Sequence, residues 1–387
     1  MSFLDPQDWT FPVPIAYGPG RLAEIASLCE GAGMRNPLIV TDRGSASLPF
    51  IDTLTAHLAQ GGLKSALYSG ISPNPRDDEI AGGCKIFAEG GHDGVIAIGG
   101  GSGMDGGKAV ALMALNDLPL WDFEFEQTPP TETHFPPLIC IPTTAGTGAE
   151  TESTAMITDT AQGVKWCVWH PDLKPACALL DPELTLGLPP HLTAWTGADA
   201  MVHAIEAYCV PGFHPLCDGA ALEGLRLVAH WLPIAVAEPG NLEARGAMLA
   251  GSCLAGIAFL KGLGLVHAIS HMIGAEYDTQ HGLTNAVLLP EVLRFNAPNI
   301  DDKVTPMAQA MGLASTDFES FHAHIEAMLR QIGIPKTLSE IGVPDDCAAR
   351  IAEKALKDSA AGTNPRALTA AEVQSVIEAA LPKGTPL

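Results

Sequence analysis

The chain is short of basic residues. Lys and Arg number 21 against 44 Asp and Glu, a formal charge of −23. No basic stripe is left to track a phosphate backbone, which argues against nucleic acid as a partner. The same imbalance favours solubility and carries no information about fold. Cysteine pairs are also missing. Cys29, Cys84, Cys140, Cys167, Cys177, Cys209, Cys217, Cys253 and Cys347 stand singly, and nine is an odd count. No disulfide framework is expected, and the thiols read as reduced core groups of a cytoplasmic protein. The opening MSFLDPQDWTF has neither a basic start nor a continuous apolar run, so no signal peptide is expected. The most apolar stretch, Ala247 to Ala275, is broken by Lys261, two histidines and several glycines. It reads as a buried helix pair rather than a membrane span. There is no internal repeat and no low-complexity segment.

A chain of 387 residues with a 47% apolar fraction is a soluble globule too long for one ordinary core, so two domains are expected. The first half alternates short apolar runs with amphipathic ones. NPLIVTD (36–42), KSALYSG (64–70), GVIAIGG (94–100), LICIPTT (138–144) and ACALLDP (176–182) read as strands. Helical patterns such as RLAEIASLCEGAG, FIDTLTAHLAQGG and DEIAGGCKIFAEGG lie between them. This alternation predicts a mostly parallel sheet with helices on both faces. After Asp181-Pro182 the β-branched runs disappear. Segments 191–209, 216–237, 241–260, 264–276, 284–295, 303–312, 316–331, 346–357 and 370–381 read as helices. The expected division is an α/β domain over 1–183 and an all-helical domain over 184–387. The final PKGTPL is expected to fray.

Two loops follow strands in the first half. AIGGGSGMDGGKAVALMAL (97–115) is a strand, a glycine run and a helix. Glycine lets the backbone approach a ligand, and a helix N-terminus offers free N–H groups to an anion. The spacing is neither the Rossmann nor the Walker pattern. Its place at a strand end, where open α/β sheets bind ligands, favours a pyrophosphate cradle over a plain turn. In IPTTAGTGAETEST (141–154), Thr143, Thr144 and Thr147 carry hydroxyls suited to phosphate or ribose, and a capped polar turn is the plainer reading. Asp42 closes the strand LIVTD. There an acid can accept hydrogen bonds from adenosine ribose hydroxyls and repel the extra phosphate of NADP, or simply cap a turn.

The second half gathers imidazoles in an apolar setting. Asp199 and His203 stand four apart in TGADAMVHAIEAYC, and His267 and His271 repeat that spacing in VHAISHMIGAEYDTQHG, with His281 beyond Gly274. Four apart on a helix places both side chains on one face. Buried imidazoles need partners, and an Asp with several His suits a divalent ion such as Fe²⁺ or Zn²⁺. His57, His92, His134, His170, His191, His214, His230, His322 and His324 are scattered and read as surface, capping or core groups.

GGGSGMDGGK, PTTAGTGAETE, the DAMVHAIEAY helix, GLGLVHAISHMIGAEYDTQHG and the late KDSAAGTNPRALT together resemble the iron-containing (group III) alcohol dehydrogenases, from IAYGPG at residue 15 almost to the end. The resemblance implies an α/β dinucleotide-binding domain, an all-α C-terminal domain and a cleft between them, the architecture shared with dehydroquinate synthase. It implies a metal held by Asp199, His203, His267 and His281, with His271 near nicotinamide and substrate as a positioning or proton-relay group. For NAD it points to Asp42, Gly100, Gly101, Ser102, Asp105, Thr143, Thr144, Thr147 and Lys165. The implied reaction is reversible hydride transfer between a small alcohol and NAD, in a homodimer or larger assembly.

One departure stands out. The family often has asparagine where AFLKGLG places Lys261. A cation there either meets the carboxylate of an ω-hydroxy acid, as in a 4-hydroxybutyrate dehydrogenase, or pairs with a nearby acid. Phe123, Phe125, Thr154 and Phe259 are further candidates to line the substrate site. A hydroxyacid–oxoacid transhydrogenase, a zinc-dependent glycerol dehydrogenase and an inactive metal- or nucleotide-binding module are the rival readings. A dehydroquinate-synthase-like lyase is disfavoured, because its phosphate pocket needs more Lys and Arg than these motifs carry.

Overall fold

The computed structural model describes residues 7–9 and 12–381. The terminal PKGTPL and most of the opening segment lie outside the described residues. Two compact units are present: residues to Thr144 with Ala149–Gly187, and Ala145–Gly148 with Leu188 onward.

The first unit runs β1 (Gln7–Trp9), β2 (Ile15–Tyr17), α1 (Ile25–Gly31), β3 (Pro37–Asp42), α2 (Pro49–Gln60), β4 (Ala66–Ile71), α3 (Asp77–Glu89), β5 (Gly94–Gly99), α4 (Gly101–Met113), β6 (Leu138–Pro142), β7 (Thr154–Asp159), β8 (Val164–Trp169) and β9 (Cys177–Leu180). Among the described residues seven strands form one sheet, in the order β1-β2-β9-β6-β5-β3-β4. Every pairing is parallel except that of the edge strand β1 with β2. The five strands expected from the sequence are β3, β4, β5, β6 and β9. Strand side chains alternate between the two faces of the sheet, and here each set meets its own core. Leu38, Val40, Val95 and Ala97 pack with Ile80, Phe87, Met104 and Val110 of α3 and α4. Ile39, Ile96, Ile98 and Ile139 pack with Ile25, Ile51, Leu54 and Leu58 of α1 and α2. Both faces are covered, which is why these strands read as continuous apolar runs.

Sequence reading missed β1 and β2, each only three residues long, and the antiparallel hairpin β7–β8. Only Thr154 of TAMITD falls in the polar loop read from the sequence, and the rest carried no assignment, although its burial alternates with the period of a half-buried strand.

The second unit runs α5 (Pro190–Cys209), α6 (Pro215–Ala237), α7 (Leu242–Ala258), α8 (Leu265–Tyr277), α9 (His281–Asn296), α10 (Asp301–Ala310), α11 (Phe318–Gln331), α12 (Ala348–Ala355) and α13 (Ala370–Ala380). Proline at the first turn starts α5 and α6, where its missing N–H costs nothing. Asn241, Gln280, Asp317 and Thr369 side chains cap α7, α9, α11 and α13. Helix α5 is buried from Gly197 through Cys209, so it is a core helix rather than an amphipathic one. The turn after α8 places Asp278 in the left-handed region at φ 53°, and Gln280 then caps α9 by accepting from the Leu283 amide. As a result His281 opens α9. The expected start at 284 left it in a loop.

All nine cysteines are free thiols, seven of them buried. Helix α6 and Leu242–Lys261 are long and apolar enough to cross a membrane by length and composition. In the second of these, 78% of the apolar window is already buried inside the protein, as expected of a core helix.

Candidate metal centre and nucleotide loops

In the helical unit, α5 supplies Asp199 and His203, α8 supplies His267 and His271, and α9 supplies His281. One ligand atom from each of Asp199, His203, His267 and His281 lies within 4.8 Å of the others. Asp199 Oδ1 is 3.8 Å from Nε2 of each of the three histidines. Around a single ion with bonds of about 2.1 Å, tetrahedral donors stand about 3.4 Å apart, so the three Asp199–histidine spacings are a few tenths of an ångström wider than in a closed site. The first three ligands are buried, and the His281 side chain is 32% exposed.

Neutral imidazoles are needed for ligation. Burial, followed by the neighbouring His203, His281 and His271, holds the His267 pKa well below its ordinary value. Which nitrogen carries the proton is set by the far side of each ring. His203 Nδ1 faces the Gly146 carbonyl at 3.3 Å and donates to it, leaving Nε2 with a lone pair. His267 Nδ1 lies 2.6 Å from Glu206 Oε2, while Glu206 Oε1 accepts from the Val266 amide at 2.7 Å. Burial pushes the Glu206 carboxyl up to about 8, so carboxyl and imidazole share one proton. A cation facing Nε2 favours the form with that proton on Nδ1.

Asn285 completes the cluster. Its Nδ2 is 2.7 Å from Asp199 Oδ1, 3.1 Å from His267 Nε2 and 3.0 Å from His281 Nε2. Its Oδ1 is buried without a hydrogen-bond partner among the described residues. An orphaned amide oxygen beside four converging donors, three of them imidazoles, fits a divalent-cation site and does not fit a closed structural core.

His271 stands beside this set. Its ring stacks on His281 at 5.4 Å, and its Nδ1 is 2.9 Å from Asp358 Oδ2. The Phe259 ring packs 5.1 Å from that of His203.

Of the two readings of Lys261, pairing with a nearby acid holds: its Nζ is 2.6 Å from Asp218 Oδ1 and its side chain is buried, so its charge is already matched. One expectation needs correction. Phe123 is fully buried in the core of the α/β unit and lines nothing. Phe125 sits half-exposed against Trp169, and Thr154 opens β7.

Sequence reading also missed Glu206, Asn285 and Asp358. The first two carried a signal, because Glu206 continues the face of Asp199 and His203 on α5, and Asn285 is one turn after His281. Asp358 lies in the late KDSAAGTNPRALT stretch, which carried the family resemblance but nothing that tied it to His271. The other histidines divide as expected into surface, capping and core groups: His134, His191 and His230 are exposed, His214 accepts from the Cys217 amide at the start of α6, and His322 donates to the Pro290 carbonyl.

In the α/β unit the glycine run joins β5 to α4 with Gly100 as the N-cap. Gly101 and Ser102 occupy the first turn, where helix N–H groups lack intrahelical partners. Gly99 has φ 143°, and a side chain there would meet the Asp42 carboxylate at 2.9 Å. Gly107 lets α4 lie against β5, since a Cβ would come within 2.4 Å of the Ala97 methyl. Part of the glycine signal therefore belongs to helix–sheet packing. Asp42 accepts from the Ser45 amide at 2.9 Å and its hydroxyl at 2.7 Å, so it shapes its own turn while facing the glycine run. Asp105 lies one turn into α4, 3.7 Å from the ammonium of Lys108, and burial pushes its pKa up. Lys108 is wholly buried and donates to the Ala149 carbonyl at 2.9 Å. Lys165, on β8, reaches Asn74 Oδ1 at 3.3 Å. The threonine loop is divided: Thr143 and Thr144 belong to the α/β unit, and Thr147 belongs to the helical one.

Comparison with known proteins follows both units. Residues 12–182 match the family model for iron-containing alcohol dehydrogenase, and residues 193–381 match the model for the C-terminal part of the Fe-containing alcohol dehydrogenase family. The chain is 35% identical to a 1,3-propanediol dehydrogenase of Citrobacter freundii, over 96% of this chain and 98% of that one. It is 34% identical to an NAD-dependent methanol dehydrogenase of Bacillus methanolicus, with the same coverage of 96% and 98%. The crystal structure of a 1,3-propanediol oxidoreductase superposes with a TM-score of 0.91 at 35% identity, covering 95% of this chain and 97% of that one.

Proposed function

The chain belongs to the iron-containing alcohol dehydrogenase family, and from that premise we propose that it transfers hydride between a small primary alcohol and NAD, using one divalent ion held by Asp199, His203, His267 and His281. The observation that carries this reading is the convergence of those four side chains from three helices. It is a metal-dependent alcohol dehydrogenase. Relatives named for methanol and 1,3-propanediol support small alcohols as substrates, and the relative named NAD-dependent supports the cofactor.

When bound, the ion supplies Lewis-acid polarisation of a C–O group and NAD supplies the hydride acceptor. The chain's own residues do the rest. Glu206 and the Gly146 carbonyl fix the ring orientations of His267 and His203. Asp358 holds the Nδ1 side of His271, which leaves Nε2 to take the alcohol proton or return it during aldehyde reduction. The amides of Gly101 and Ser102 and the hydroxyls of Thr143, Thr144 and Thr147 bind the phosphates and ribose. Lys165 serves the nicotinamide ribose, Asp105 is a further cofactor-binding group, and the Asp42 carboxylate receives the adenosine ribose and disfavours NADP. Iron is the ion favoured by family membership, and zinc fits the same donors. We assign the protein to the cytoplasm as a homodimer or larger assembly, on the composition and the resemblance.

The Lys261–Asp218 pair weakens the case for an ω-hydroxy acid substrate. The test is NADH formation by Fe²⁺- or Zn²⁺-reconstituted protein with methanol, 1,3-propanediol, 1,2-propanediol and 4-hydroxybutyrate. Turnover is expected with the uncharged alcohols, above that with the hydroxy acid. A preference for 4-hydroxybutyrate, or no turnover of any alcohol with metal and NAD bound, would contradict the reading.

A further inference from the structure

Asn285 touches ligands from three helices at once. The nitrogen of its amide is within 3.1 Å of Asp199 Oδ1 on α5, His267 Nε2 on α8 and His281 Nε2 on α9. Its orientation is fixed by the shortest contact. Rotating the amide would set Oδ1 against a carboxylate oxygen at about the 2.7 Å now held by Nδ2, a repulsive pair of acceptors. The amide has two hydrogens for three neighbours. One goes to Asp199, the charged acceptor, and the other lies between the lone pairs of His267 and His281. Among the described residues no other group donates a hydrogen bond to the Asp199 carboxylate, and the Asp199 contacts to histidine are all 3.8 Å.

We propose that Asn285 is a positioning residue of the metal centre. It is not a ligand. It gathers an anionic oxygen and two imidazole lone pairs that would otherwise repel one another, and so sets both the affinity for the ion and the geometry in which the ion is held. The proposal rests on the metal-centre reading above. Without the amide the Asp199 carboxylate loses its hydrogen-bond donor, and His281, the most exposed of the four, loses a contact that draws its Nε2 toward the cluster. The ligands then have to be collected at the moment of binding, which lowers affinity. Groups that orient metal ligands in this way commonly change affinity by about 10–100-fold when removed.

The experiment uses the full chain stripped of metal and titrated with Co²⁺ against a chelating indicator, with the visible Co²⁺ absorption recorded at saturation. Wild type is expected to bind one Co²⁺ per chain with the spectrum of a low-coordinate N/O site. Asn285→Ala is expected to bind about 10–100-fold more weakly and to show a shifted or weakened absorption once saturated. His322→Ala serves as the control, because that ring holds the Pro290 carbonyl of the same helix and touches no ligand. It is expected to lower the melting temperature and leave Co²⁺ affinity and spectrum as in wild type. Equal affinity and an identical spectrum for Asn285→Ala would overturn the proposal, and so would an equal loss of affinity in His322→Ala, which would point to general loosening of α9. If Asn285→Ala does not fold, Asn285→Leu, branched at the same carbon and lacking a donor, is read by the same criteria. Failure of wild type to bind Co²⁺ at all would overturn the metal-centre reading itself.

Discussion

The two units build their candidate sites from different parts of the chain. In the α/β unit the proposed binding groups are mostly backbone amides and small hydroxyls at strand ends, presented by β5, β6 and the first turn of α4. Sheet packing fixes them, and few side chains have to be aimed. In the helical unit the groups are mostly buried side chains from α5, α8 and α9, and four of them have a partner behind them: Glu206 for His267, the Gly146 carbonyl for His203, Asp358 for His271, Asn285 for Asp199. A backbone-made site is held by the fold, whereas a side-chain-made site is held by a second layer of hydrogen bonds. Substitutions that remove partners should therefore be costly in the helical unit and mild elsewhere.

The largest effect is expected from Glu206→Gln. The Val266 amide needs an acceptor, so the glutamine must turn its oxygen there and its NH₂ toward His267 Nδ1. Nδ1 then becomes an acceptor and the proton moves to Nε2, the nitrogen that faces Asp199. Affinity for Zn²⁺ or Co²⁺ is expected to fall by at least about 10–100-fold, read by chelator competition. An unchanged affinity would mean that the second layer does not set the tautomer.

A smaller effect is expected from Asp42→Gly in the other unit. The ratio of kcat/KM with NADP to that with NAD should rise by about tenfold, equivalent to about 1.4 kcal/mol. The ratio is the proper readout, because the carboxylate also braces its own turn through Ser45. A constant ratio would leave Asp42 as a turn residue only.

The smallest effect is expected away from both sites. Glu276 on α8 binds Arg350 and Lys354 of α12, and these contacts hold its pKa down at about 2 against an ordinary 4.5. A depressed carboxylate contributes stability above its ordinary pKa and loses it as pH falls through the folded value. Glu276→Gln should therefore lower stability by about 1 kcal/mol at neutral pH, with the gap to wild type closing between pH 4.5 and 2 in urea titrations. Metal affinity should not move. A gap that persists at the acid end would assign the effect to packing instead of charge.

The same contrast explains what the sequence revealed. The strand and helix order was legible because doubly covered strands are uniformly apolar and the helices carry their caps and punctuation. A cluster of Asp and His was legible because Asp199 with His203, and His267 with His271, repeat at helical spacing; the choice of His281 over His271 came from the family resemblance, and the fold brings Asp199, His203, His267 and His281 together. The hairpin β7–β8 was hidden inside a stretch rich in threonine and glycine. Asp358 was hidden by distance, since 87 residues separate it from the ring it holds. Lys261 showed the limit of reading a charge without its partner: Asp218 is 43 positions away, and only the fold puts the two at 2.6 Å. The glycine run was read as a ligand cradle, yet Gly107 serves the packing of α4 on β5.

The most direct test of the account is to strip the protein with a chelator and follow NADH formation from 1,3-propanediol while Fe²⁺ is added back. The expected result is loss of turnover on stripping and full recovery at one ion per chain, with His267→Ala neither retaining the ion nor recovering. Turnover that survives complete removal of metal, or a His267→Ala variant that still holds one ion per chain, would contradict it.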